Sequence, residues 1–228
     1  VQICDNLPLH KMGENELNEL WKRAHDLGLC IEVGTRGVQP KHLLRYLEIA
    51  KLLDAKILRT VVGTAQYKPD IEEAATWIKQ VLPRFAEAEV SIALENHEQL
   101  KSRELASIIK KVDSPYLGIC LDTVNSFGAL EGLEQVVGEL ASYVISLHVK
   151  DFDIVRVKHQ LGFSIIGRPA GEGRLNIDWL LDVLAEEGKN PNAILELWTP
   201  FSGSIEKTIS KEREWADISI QFLKGKIR

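Results

Sequence analysis

Four ionisable residues close four apolar runs in the second half of the chain. They are Glu95 in Ala-Leu-Glu-Asn-His, Asp122 in Ile-Cys-Leu-Asp-Thr, His148 in Ser-Leu-His-Val-Lys-Asp and Glu196 in Ile-Leu-Glu-Leu-Trp. Three carboxylates and an imidazole brought together would repel unless a cation neutralised them. One nitrogen with three carboxylate oxygens is a hard donor set, suited to Mn first and to Mg or Co as alternatives, rather than to a thiolate-type zinc site. Taken singly, each carboxylate reads as a helix cap or salt-bridge member. Four at the ends of successive strands read as ligands, so Glu95, Asp122, His148 and Glu196 are expected to hold one divalent cation.

The elements that would position them follow from periodicity. Short apolar runs recur at 1–4, 30–34, 56–63, 90–96, 117–123, 144–152 and 193–198, and segments of helical period lie between them at 14–28, 40–53, 71–87, 102–112, 130–142, 177–187 and 205–224. Alternation at such intervals implies parallel strands joined by crossover helices. A doubly wound dinucleotide-binding sheet would carry a glycine fingerprint after its first strand, and Cys4-Asp5-Asn6-Leu7-Pro8 is nothing like one. If Glu95, Asp122, His148 and Glu196 point inward, so do Ala93 and Ser91, Cys120 and Gly118, Ser146, and Ile194. Mostly small residues below the polar ones suit a crowded barrel interior. The expected fold is an α/β (β/α)8 barrel, 1–228 forming a single domain. Seven strands and the absence of an initiator Met lead us to expect that the first βα unit is missing and that the native chain is longer at its amino end.

Composition narrows the class. The chain has 228 residues, 45% hydrophobic and 27% charged, which excludes disordered and fibrous readings. No apolar run approaches the roughly 20 residues of a membrane helix. A net charge of −5 gives no general attraction to nucleic acid. Cys4, Cys30 and Cys120 are odd in number and sit in apolar runs, which reads as free buried thiols in a reducing, cytoplasmic setting.

The order Glu, Asp, His, Glu on successive strands, with Leu-Asp-Thr around Asp122 and the Gly171-Glu172-Gly173 turn after the histidine strand, resembles the xylose isomerase-like superfamily of sugar isomerases and epimerases. That resemblance implies Glu95 and Glu196 as an acid/base pair that also binds the metal, with Asp122 and His148 as ligands only. The implied activity is a metal-dependent isomerase or epimerase working through an enediolate. A lyase of the same superfamily, decarboxylating a 3-oxo sugar acid or dehydrating its substrate, is the alternative. Two departures favour the lyase. Asn125 stands where the epimerases often carry His, and a basic and aromatic loop follows His148, with Lys150, Arg156, Lys158, His159 and Arg168.

That loop points to a sugar acid or sugar phosphate as substrate. Lys150 and His97 each lie two residues beyond a ligand and should face the same way. Arg156, and Asn6 and Arg59 from earlier strands, complete the substrate-binding candidates, with Glu32 a weaker one. Gly171-Glu172-Gly173 lacks the lysine of a phosphate loop and is expected to be a turn before a helix. A nuclease of the endonuclease IV type would need more histidines than the six present. A non-catalytic sugar-binding barrel would show ligand affinity indifferent to metal. Partners are thus expected to be a small carbohydrate or sugar acid, with no nucleic acid or membrane, and a homo-oligomer is allowed.

Overall fold

The computed structural model describes residues 1–4, 7–159 and 161–227. Seven parallel strands form one sheet in chain order: β1 (Gln2–Ile3), β2 (Glu32–Arg36), β3 (Ile57–Val61), β4 (Ser91–Glu95), β5 (Leu117–Asp122), β6 (Val144–Val149) and, last, β9 (Asn192–Leu195). The sheet curls into a nearly closed barrel, with β1 and β9 as its two edges among the described residues. Seven parallel strands agree with an eight-stranded barrel lacking one unit. The helices α1 (Glu14–Asp26), α2 (Pro40–Leu52), α3 (Ile71–Glu87), α4 (Ser102–Val112), α5 (Leu133–Leu140), α6 (Ile177–Glu186) and α7 (Ile205–Lys224) cover the outside.

The core lies between this helical layer and the sheet. Leu43, Leu47, Ile78, Phe85, Leu105, Ile108, Val136, Leu140 and Leu180 meet the outward-facing Leu58, Ile92, Leu94, Ile119 and Leu147, all buried. The apolar face expected on α1 is only half used. Leu17 and Ala24 are buried and Leu20 packs half-buried against the core, while Trp21 and Leu27 are exposed.

The segment after His148 is not a loop. β7 (Asp151–Arg156) and β8 (Phe163–Arg168) pair antiparallel as a two-stranded hairpin rising from the carboxyl end of β6. The sequence expectation of one long strand over 144–152 is thereby corrected. Val144–Val149 belongs to the barrel, and the chain bends at Lys150 before the hairpin begins. Close seating at Gly167 holds the hairpin down, since a Cβ there would fall 1.9 Å from the Trp198 carbonyl oxygen.

One irregularity sets the register that matters. Ile119 pairs with Val144 but Cys120 pairs with Ser146, so Ile145 is bulged out of β6. Gly118 makes room for it, because a Cβ there would meet Ile145 at 2.7 Å. The extra residue brings His148 opposite Asp122 at the top of the sheet.

Candidate metal centre

Glu95 and Asp122 are the last residues of β4 and β5, His148 is the last but one of β6, and Glu196 directly follows β9. Their side chains converge. His148 Nδ1 lies 3.7 Å from Glu95 Oε2, 3.7 Å from Asp122 Oδ2 and 2.9 Å from Glu196 Oε2. Glu95 and Asp122 are completely buried there, whereas the Glu196 side chain is 43% exposed.

The imidazole is oriented from behind by Gln2. The Gln2 amide nitrogen donates to Glu32 Oε2 at 3.0 Å, which turns Oε1 toward His148 Nε2 at 2.9 Å. Nε2 therefore carries the hydrogen in the neutral ring, and Nδ1 offers its lone pair to the carboxylate cluster. Glu32 also accepts from Ser146 Oγ at 3.1 Å and from Asn192 Nδ2 at 3.0 Å, tying β2 to β6 and β9 through the barrel interior. Glu32 thus opens β2 rather than ending it, and its carboxylate is spent on this network.

The donor set fits a divalent cation. Asp122 Oδ2 and His148 Nδ1 are buried without a hydrogen-bond partner among the described residues, although Asp122 Oδ2 lies 2.9 Å from Lys150 Nζ and His148 Nδ1 2.9 Å from Glu196 Oε2. Buried polar atoms are rarely left so unless another group takes them. Asp122, His148 and Glu196 each place one donor atom within 4.8 Å of the others.

Electrostatics agree with a site built for positive charge. Burial alone would raise Glu196, but the His148 ring and the Lys150 ammonium outweigh it and hold its carboxyl at about 2. Burial likewise opposes ionisation of Asp122, and the same two neighbours bring it below the usual range. Burial works against the charged forms of His148 and Lys150 as well. Both are nevertheless raised, His148 by Cys120, Asp122 and Glu196, and Lys150 by Asp122 and Glu196.

The substrate-binding candidates separate. Lys150 does face the centre, 2.9 Å from both Asp122 Oδ2 and Glu196 Oε1. Arg59 lies mid-strand in β3, and its guanidinium holds Glu95 through Nε and the Thr35 carbonyl through Nη1. It also lines, with Gln2, Arg36, His148 and Glu196, a second cavity of about 390 Å³ beside the centre. His97 turns aside to pair with Glu98. Arg156 stands on the hairpin, exposed, with its guanidinium 4.8 Å above the Phe163 ring, because the backbone expected to be a loop over the mouth is a strand that carries it away. Asn6 lies outside the described residues.

Two participants were not expected. Asn125 donates to Glu95 Oε1 at 2.7 Å and accepts from Lys150 at 3.2 Å, linking two of the site's charges. Gln2 could have been found from the alternation along its strand, which places it inward, but nothing in its sequence neighbourhood names His148 as its partner. Beside this centre lies a cavity of about 440 Å³ lined by Val124, Asn125, Phe127, Lys150, Ile165, Glu196 and Trp198, among others. Ile165 reaches it from β8, so the hairpin forms one wall.

A parallel barrel with three carboxylates and a histidine at the carboxyl ends of its strands falls in the class of α/β barrels that build their sites on that rim. The family model described as xylose isomerase-like TIM barrel matches residues 9–225, and the chain belongs to that family. A 3-oxo-isoapionate decarboxylase of Pectobacterium atrosepticum is 39% identical over 222 residues, covering 97% of this chain and 81% of that protein. The crystal structure of a xylose isomerase domain protein from Planctomyces limnophilus superposes with a TM-score of 0.76 at 17% identity, over 99% of this chain and 87% of that one. D-psicose 3-epimerase from Clostridium cellulolyticum H10, solved with D-tagatose, gives 0.72 at 17% identity, over 96% and 87%. Among the described residues no helix is long and apolar enough to cross a membrane.

Proposed function

We propose that this protein is a divalent-metal-dependent decarboxylase of a 3-oxo sugar acid, with Glu95, Asp122, His148 and Glu196 as ligands and Mn as the preferred ion. The observation that carries the reading is the inequality of the two glutamates. An epimerase needs two proton-moving groups on opposite faces of one carbon. Here Glu95 is completely buried, with its oxygens engaged by Arg59 and Asn125, while Glu196 is half-exposed and lines the cavity. One acid/base group open to the cavity suffices for a lyase. The 39% identity to a decarboxylase supports the same choice over the isomerase reading.

A divalent cation, which these residues would hold, would supply a Lewis acid for the negative charge that develops as the bond to the carboxylate breaks. The electron pair of that bond passes into the enediolate, carbon dioxide departs, and one proton must return to the carbon it left. The Lys150 ammonium, 2.9 Å from the Glu196 carboxylate on the cavity wall, supplies that proton, and Glu196 relays it to the carbon. Arg59 and Asn125 keep Glu95 in place. Phe127, Ile165 and Trp198 present apolar surface that limits water at the reacting carbon.

Lys150 is the only cation lining that cavity among the described residues, and it already faces two carboxylates. This suits a monoanionic sugar acid, whose single charge one ammonium can meet. The test is a 3-oxo aldonate carrying ¹³C in its carboxylate, turned over in D₂O with Mn²⁺. Release of ¹³CO₂ with one deuteron on the product carbon is expected; retained label with an epimerised carbon would make the protein an epimerase instead.

The cation is tested separately. Metal-free protein brought to a hundredfold excess of Mn²⁺ over its Kd should gain about 2.7 kcal/mol of unfolding free energy and regain turnover. Full activity in rigorously metal-free protein would remove the centre from the mechanism.

A further inference from the structure

The interior alternation that places Asp122 at the top of β5 places Cys120 beneath it, on the same inward face. Cys120 is fully buried, and its Sγ, a Glu95 oxygen and a His148 nitrogen all lie within 4.8 Å of one another. His148 therefore belongs to two overlapping sets of donors. One set, with Asp122 and Glu196, offers only oxygen and nitrogen and reaches the cavity through Glu196. The other, with Glu95 and Cys120, lies one layer deeper and adds a sulfur. His148 Nδ1, buried without a hydrogen-bond partner among the described residues, stands between the two sets, 3.7 Å from Glu95 Oε2 of the deeper one and 2.9 Å from Glu196 Oε2 of the other.

We propose that Cys120 is a ligand for thiophilic cations, so that this centre holds a hard ion through Glu95, Asp122, His148 and Glu196 but draws Zn²⁺ or Co²⁺ inward through Glu95, Cys120 and His148. The inference rests on the metal-centre reading above and adds a second binding mode to it. Hard ions such as Mn²⁺ and Mg²⁺ gain little from sulfur and select the oxygen-rich set, whereas softer ions favour thiolate. Coordination converts the Cys120 S–H to a metal–sulfur bond and releases one proton to solvent, with no change of oxidation state. An ion drawn toward Cys120 moves away from Glu196 and the cavity, so Zn²⁺ is expected to compete with Mn²⁺ and to lower turnover.

The experiment loads metal-free protein with Co²⁺ and records the near-ultraviolet spectrum, where a thiolate–cobalt charge-transfer band reports sulfur ligation directly. The band is expected in the wild type and absent from both Cys120→Ser and Cys120→Ala. Calorimetric titration should show Zn²⁺ affinity falling by about tenfold or more in the two variants, with Mn²⁺ affinity within twofold of wild type. Two variants of different polarity guard against misfolding of one, and the preserved Mn²⁺ affinity certifies the fold. A wild-type cobalt spectrum without the band, or Zn²⁺ affinities equal across the three proteins, would overturn the inference while leaving the Mn²⁺ centre intact. Failure of the wild type to bind Mn²⁺ as well would instead overturn the metal-centre reading and this inference with it.

Discussion

Glu196→Gln should retain the folded structure and lose turnover by roughly 10²- to 10⁴-fold, the range for removing a positioned acid/base group. The amide matches the carboxylate in size, so the wall of the cavity should be preserved. Its chemistry is not matched. Glu196 lies 2.9 Å from both Lys150 Nζ and His148 Nδ1, and an amide can neither stay anionic beside them nor carry a proton to the reacting carbon. Because His148 and Lys150 stabilise the Glu196 charge, the metal-free variant should unfold somewhat more easily, an effect moderated by the half-exposure of Glu196. Steady-state rates measured with saturating Mn²⁺ would separate the lost proton carrier from a weakened cation site. An unaffected kcat would sink the acid/base role of Glu196. The corresponding Glu95→Gln should behave differently, since the amide would leave the buried Arg59 without its anionic partner and therefore disturb folding as well as rate.

The second large effect concerns a residue that touches no ligand. Asp151 is buried at the base of the hairpin and accepts four backbone amides: Phe152 at 2.8 Å, Gly171 at 2.9 Å, Gly173 at 3.0 Å and Leu175 at 3.0 Å. The Gly171-Glu172-Gly173 segment is accordingly a turn, as its composition suggested, but one wrapped around a carboxylate. Gly173 is required there, because a Cβ would fall 2.1 Å from Asp151 Oδ1. Asp151→Ala would strand these amides in the interior. With charge-assisted bonds worth about 1.5–3 kcal/mol each but not additive, the expected loss of unfolding free energy is about 3–5 kcal/mol. Asp151→Asn keeps one acceptor oxygen and should lose less. Urea denaturation of the two variants decides the matter, and an alanine variant within about 1 kcal/mol of wild type would contradict this role. In whatever fraction of Asp151→Ala remains folded, a loosened hairpin should raise KM more than it lowers kcat, since Ile165 belongs to the cavity wall.

Much of this was legible in residue order. Alternation of apolar runs with helical segments gave the parallel barrel. The position of each ionisable residue after its apolar run gave the four that converge, and the two-residue step from His148 placed Lys150 among them. The hairpin was obscured because Gly162 interrupts the run between two strands whose alternation, in Asp-Phe-Asp-Ile-Val-Arg and Phe-Ser-Ile-Ile-Gly-Arg, is only partly apolar. A two-stranded ribbon with one face outward needs no strong pattern. Arg156 was misplaced for the same reason.

The sequence by itself therefore determined which side chains face the barrel interior and which chemistry they can offer, because the direction of a side chain along a strand is fixed by the local backbone period. Only the tertiary structure decided how they are paired. Arg59 on Glu95, Gln2 on His148, Asn125 between Glu95 and Lys150, and Cys120 beneath the centre are contacts across different strands. Their distances depend on register, on the bulge at Ile145 and on the curvature of the whole sheet, none of which is set within any single segment. That cross-strand pairing is what makes the two glutamates unequal.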